Sequence, residues 1–93
     1  MSTFIMIGRY SFEATSGMSP DRTSKAIHLI KELGGEVRSM YALLGDRDLF
    51  LKVDLPDMKT AMKVSLGLNV LTGISFTTYP AVEIDDFDKM FGR

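Results

Sequence analysis

The side chains able to do chemistry in this chain are few and gather near its middle. Asp48 and Lys52 fall on one side of an alternating segment, on either side of Phe50. A carboxylate and an ammonium turned into one cavity can bind a polar ligand or hold a perturbed pKa. The same pair at a sheet margin is a surface ion pair worth little. Tyr10 and Tyr41 each add a phenol, although aromatic residues on strands serve packing as readily as binding. Tyr10, Tyr41, Asp48 and Lys52 are therefore the candidate ligand-binding residues, with Asp48 the base if a reaction takes place.

Other chemistries are restricted by count. The sequence has no cysteine, which removes disulfides, thiolate catalysis and cysteine metal sites together. Its single histidine, His28, lies off the apolar stripe of its own segment and reads as a surface residue without a catalytic partner. Asp46, Asp48, Asp54 and Asp57 lack the glycine and oxygen spacing of a calcium loop. Asp46 is explained by a turn and Asp57 by a helix cap, so no metal is expected. Gly8 and Gly73 are too isolated to form a phosphate loop, and no cofactor motif is present. Serines and threonines have no histidine or cysteine placed to serve them, so no catalytic residue is assigned.

The net charge is −1 with both signs interspersed. No basic stripe exists that would neutralise phosphates, and nucleic acid is not an expected partner. No apolar run approaches a membrane span, and Phe4–Ile7 is too short for a signal peptide. The absence of cysteine fits a reducing cytoplasm. Residues 1–93 read as one domain, and a chain this short gains from burial through self-association.

The elements that position these residues follow from periodicity. Thr3–Tyr10 is a strand apolar on both sides. Ser11–Met18 reads as a polar loop. Ser19-Pro20-Asp21 starts a helix with an N-cap, a first-turn proline and an acid at the positive dipole end. Its stripe is Ala26, Ile27, Leu29, Ile30 and Leu33, and Gly34 stops it. Val37–Leu44 and Leu49–Val53 are strands joined by a tight turn at Gly45-Asp46, with a loop of about two to four residues. Asp57 caps a second helix whose core side is Met58, Ala61, Met62, Ser65 and Leu66, and Gly67–Asn69 ends it. Val70–Tyr79 is a fourth strand with a bulge at Gly73, Pro80 ends or edges it, and Glu83–Phe91 is a short terminal helix.

This order is a ferredoxin-like βαββαβ sandwich, α+β, with an antiparallel sheet and both main helices on one face. With Ile5, Ile7, Leu49, Leu51 and Val53 against the helices, Phe4, Met6, Tyr10, Asp48, Phe50, Lys52 and Phe76 lie on the open face. Phe4, Met6, Phe50 and Phe76 leave an apolar patch that a monomer does not tolerate in water. The expectation is a homo-oligomer, a two-fold dimer through the open sheet face.

Tyr10, Ser19-Pro20-x-Arg22, Leu33-Gly34-Gly35, Tyr41, Leu44-Gly45, Asp48, Pro56-Asp57 and Thr78…Ala81 together resemble the GYD-domain proteins across nearly the whole chain. The resemblance implies a small prokaryotic domain of the dimeric α/β-barrel type and carries no biochemical role with it. Gly45 and Asp48 match the glycine and aspartate of the family's signature, whereas Arg47 stands where the tyrosine is. Barrels of this broad type also host cofactor-independent enzymes, an analogy of fold alone. Two functions are therefore weighed. One is a non-enzymatic module that binds a metabolite or a partner. The other is a cofactor-independent enzyme acting on a small organic molecule in the barrel cavity.

Overall fold

The computed structural model describes residues 1–92. Its elements run β1 (Ser2–Tyr10), α1 (Phe12–Ser16), α2 (Pro20–Glu32), β2 (Glu36–Ala42), β3 (Leu49–Leu55), α3 (Met58–Thr72), β4 (Ile74–Ala81) and α4 (Ile84–Met90). The strands form one antiparallel sheet in the order β2-β3-β1-β4. This is the ferredoxin-like α+β arrangement, with α2 and α3 on one face.

Local chemistry sets the helix ends. The Ser19 hydroxyl accepts the Arg22 N–H at 3.1 Å, and the Asp57 carboxylate accepts the Thr60 N–H at 2.8 Å. Gly34 takes the left-handed conformation that closes α2, with φ 86°. The stretch expected to be a loop after Tyr10 instead contains α1. Ser11 caps it by accepting the Ala14 N–H at 2.9 Å, and Ala14 is buried against the body. A cap and one buried methyl suffice for a helix this short.

The second main helix passes through Gly67, where the sequence suggested a stop, and ends at Thr72. A Cβ on Gly67 would sit 3.3 Å from a Leu29 methyl, so this glycine lets α2 and α3 approach. The helix continues because Ala61, Val64, Leu68 and Thr72 bury one face at helical spacing. Its terminator is Gly73, at φ 74°, which is a C-cap rather than a strand bulge. The buried set also corrects the expected core side of this helix. Met58, Met62 and Leu66 point to solvent.

The β2–β3 connection is longer than a tight turn. Leu43–Asp48 lie between the strands, and Gly45 does not take a positive φ. The loop is closed at its base by the Leu43 N–H donating to the Asp48 carbonyl at 2.9 Å. It is tied sideways to β1 by the Asp48 N–H donating to the Gly8 carbonyl at 2.9 Å. That second tie extends the β1–β3 ladder one residue beyond the Gly8–Leu49 pair.

The faces of β1 are the reverse of the expectation. Phe4 pairs with Val53, Met6 with Leu51 and Gly8 with Leu49, all on the helix side. Phe4 and Met6 are core residues, packed with Ile30, Leu51, Val53, Leu55, Val64 and Leu68. Phe76 packs against the same core and so also leaves the open face. Burying each of the large side chains contributes about 1.5–3 kcal/mol. Thr3, Ile5, Ile7 and Arg9 are the residues of β1 that face away from the helices.

Candidate functional site: the helix-free sheet face

Cross-strand register builds the open face row by row. One row runs Tyr79, Ile5, Lys52, Ser39, and the next runs Thr77, Ile7, Phe50, Tyr41. Flanking rows are mostly polar, with Ala81, Thr3, Asp54 and Glu36 at one end and Ser75 and Arg9 at the other. The outcome is an apolar centre of Ile5, Ile7 and Phe50 between two tyrosines. Tyr41 and Phe50 are directly opposed, with ring centroids 5.9 Å apart and tilted by 55°. The three apolar residues are half-buried, while Tyr41 and Tyr79 remain 60% and 52% exposed.

Two of the charges around this centre, Asp54 and Lys52, are paired, whereas Arg9 reaches only the Asp46 carbonyl, at 3.5 Å. Asp54 accepts from the Arg38 Nε and, at 2.9 Å, from the Thr3 hydroxyl. The Arg38 hydrogen bond, helped by that of Thr3, holds the Asp54 carboxyl below its usual range. Arg38 reaches it because β2 shifts register between Val37 and Ser39. Lys52 Nζ lies 2.9 Å from the Glu83 carboxylate, which brings the start of α4 to this face. Pairing of Asp54 and Lys52 within the chain lowers the cost of removing water from the centre beside them.

Of the four residues expected to bind ligand, two meet here. Tyr41 and Lys52 share the face with Phe50. Tyr10 does not, because it follows the parity of Phe4, Met6 and Gly8 and turns to the helix side. There the Arg22 guanidinium lies 5.7 Å from its ring centroid and donates to the Ala14 carbonyl. A cleft of about 50 Å³ between Tyr10, Arg22, Met40 and Ile74 has room for little more than water. Asp48 sits in the loop, not on a strand, and its carboxylate accepts the Tyr10 N–H at 2.8 Å. Asp48 thus bonds to β1 through both its backbone and its side chain, as a clamp on the loop.

The residues missed by sequence reasoning are Ile5, Ile7 and Tyr79. The signal that marks them is Arg9, which shares their side of β1 and β4 and has no place under a helix. His28 is on the surface, 2.8 Å from Glu32 one turn on. Among the described residues, no three His, Asp or Glu side chains gather closely enough to hold a metal ion, and no helix is long and apolar enough to cross a membrane.

A family model described as GYD domain matches residues 4–91. No curated protein matches the sequence. Among solved structures, the chain is similar to the crystal structure of Mycobacterium tuberculosis leucine response regulatory protein (LrpA). The TM-score is 0.59 at 10% sequence identity, over 88% of this chain and 51% of that one. The chain spans about half the length of that structure, and a likeness at this identity is one of fold.

Proposed function

We propose that this chain, which belongs to the GYD-domain family, is a binding module that works as two copies joined through their helix-free sheet faces. The observation that carries the reading is the apolar centre of Ile5, Ile7 and Phe50, flanked by Tyr41 and Tyr79, with Asp54 and Lys52 beside it already paired. Such a surface is built to be covered. Its rim residues then line the space between the copies. Tyr41 offers a phenol and Lys52 an ammonium to a small polar or anionic metabolite held there.

A module fits this chain better than an enzyme. Asp48, the one candidate base, spends a carboxylate oxygen on the Tyr10 N–H. A chain without cysteine suits a reducing cytoplasm as its place of work.

The test is association state followed by ligand screening. Wild type is expected to sediment as a dimer at micromolar concentration, and Phe50→Asp as a folded monomer. A wild type that stays monomeric at about a hundredfold higher concentration overturns the proposal. A thermal-shift screen of small acids, amino acids and phosphates against wild type and Lys52→Ala then identifies the metabolite class. Leucine belongs in it, because the similar solved structure is named for a response to leucine. A ligand of this face stabilises wild type and not the variant.

A further inference from the structure

The sheet face alone is a modest area for holding two copies together. Four strands about 4.8 Å apart and about 24 Å long offer roughly 450 Å² per copy. Stable interfaces bury about 800 Å² per partner. The shortfall directs attention to apolar surface elsewhere, and α4 carries it. None of its residues is buried, and Ile84, Phe87, Met90 and Phe91 are 68, 43, 71 and 63% exposed. Phe87 and Phe91 stack edge to face, 5.1 Å apart, in the open. The radius of gyration, 14.0 Å, exceeds the ~12 Å expected for a compact chain of this length. The helix stands off the body.

A second unpartnered surface matches it. Met58, Met62, Leu66 and Val70 repeat every four residues along the outer side of α3, each more than half exposed. The first three border a groove of about 280 Å³ floored by Phe4 and Thr78, whose hydroxyl has no partner among the described residues. Residues 58–66 run about 12 Å and residues 84–91 about 10 Å at helical rise, so the two lengths agree. The charges agree too. α3 carries Lys59 and Lys63 and no acid, while α4 carries Asp85, Asp86 and Asp88 against one base, Lys89. Within one chain, the Lys52–Glu83 ion pair draws the root of α4 to the open face, away from its own α3.

From these observations, and resting on the face-to-face reading above, we propose that α4 is an exchanged arm: in the dimer it lies in the α3 groove of the second copy, Phe87 and Met90 against Met62 and Leu66, its acids beside Lys59 and Lys63.

The lack of cysteine makes the test clean. Met62→Cys and Phe87→Cys are made as separate variants, mixed and oxidised. The expected product is a disulfide-linked pair of one chain of each variant, well above the pairs formed by either variant alone. The chain carrying both substitutions should give covalent dimers rather than a looped monomer. A looped monomer, or no mixed link while sedimentation still shows dimers, overturns the arm and spares the sheet-face dimer. Sedimentation of Phe87→Asp and Lys59→Glu/Lys63→Glu supplies the second readout. Each is expected to weaken dimerisation tenfold or more while the unfolding of the isolated protomer is unchanged. An unchanged dimer constant in both overturns the exchange as well.

Discussion

Replacing Asp48 by alanine removes the acceptor of the Tyr10 N–H, a 2.8 Å bond in a half-buried position. A hydrogen bond to a charged group is worth about 1.5–3 kcal/mol net, and partial exposure trims this to about 1–2 kcal/mol here. The two backbone bonds of Asp48, from Leu43 and to Gly8, survive the change and keep the loop in place. At this chain length each kcal/mol moves the melting temperature by about 4–8 °C, so Asp48→Ala should melt about 4–16 °C below wild type. An asparagine at this position keeps an oxygen in the same place without the charge, and Asp48→Asn should lose less than half as much. Urea unfolding followed by circular dichroism measures both. A clamp gives the order of stability wild type, Asp48→Asn, Asp48→Ala. A carboxylate held in place for catalysis at the expense of stability gives the reverse, with the variants more stable than wild type. Asp48→Ala within 0.5 kcal/mol of wild type would refute the clamp, on the usual scale of inert surface substitutions, about ±0.5 kcal/mol.

Further outcomes follow from other contacts. The Asp54 carboxyl is lowered in the folded chain, chiefly by Arg38 and then by Thr3. Its stabilising effect is therefore complete above the ordinary carboxylate pKa near 3.8 and is lost as pH falls through the lower folded value. Arg38→Ala should flatten that acid limb in a pH series of unfolding free energies. Gly73→Ala places a side chain at φ 74°, within 3.3 Å of the Ser11 hydroxyl, and should cost about 1–2 kcal/mol in urea unfolding. Leu51→Ala empties a fully buried position at the centre of the sheet and should cost about 2–5 kcal/mol in urea unfolding, a large share of the stability of a chain this size.

The element order was legible because each start and stop has its own local chemistry: Ser19 and Asp57 for caps, Gly34 for a stop, alternation from Leu49 to Val53. The faces were legible only where a strand alternates. β3 does, and Leu51 and Val53 are core as expected. β1 is apolar on both sides through Ile7, so alternation alone cannot orient it; Arg9, which has no place under a helix, decides the matter. α3 misled for a related reason. Its sequence presents two apolar stripes, one ending in Thr72 and one in Val70, and a single chain buries only the first. Gly67 resembles a terminator because nothing local distinguishes it from a glycine needed where Leu29 crosses. The candidate site suffered most. Tyr10 and Asp48 are joined by a bond between backbone and side chain across 38 positions, and no spacing rule reveals such a bond.

The two outer strands bear on how copies of the chain can meet. β2 shifts register beside Arg38, and β4 carries Pro80 opposite Phe4. A kinked margin and a missing N–H both spoil the ladder a further strand would need. Sideways growth into a continuous ribbon is therefore discouraged at either flank. What is left for a neighbour is the flat approach proposed above, and pairing of that kind ends after a single partner and gives finite assemblies in place of fibres.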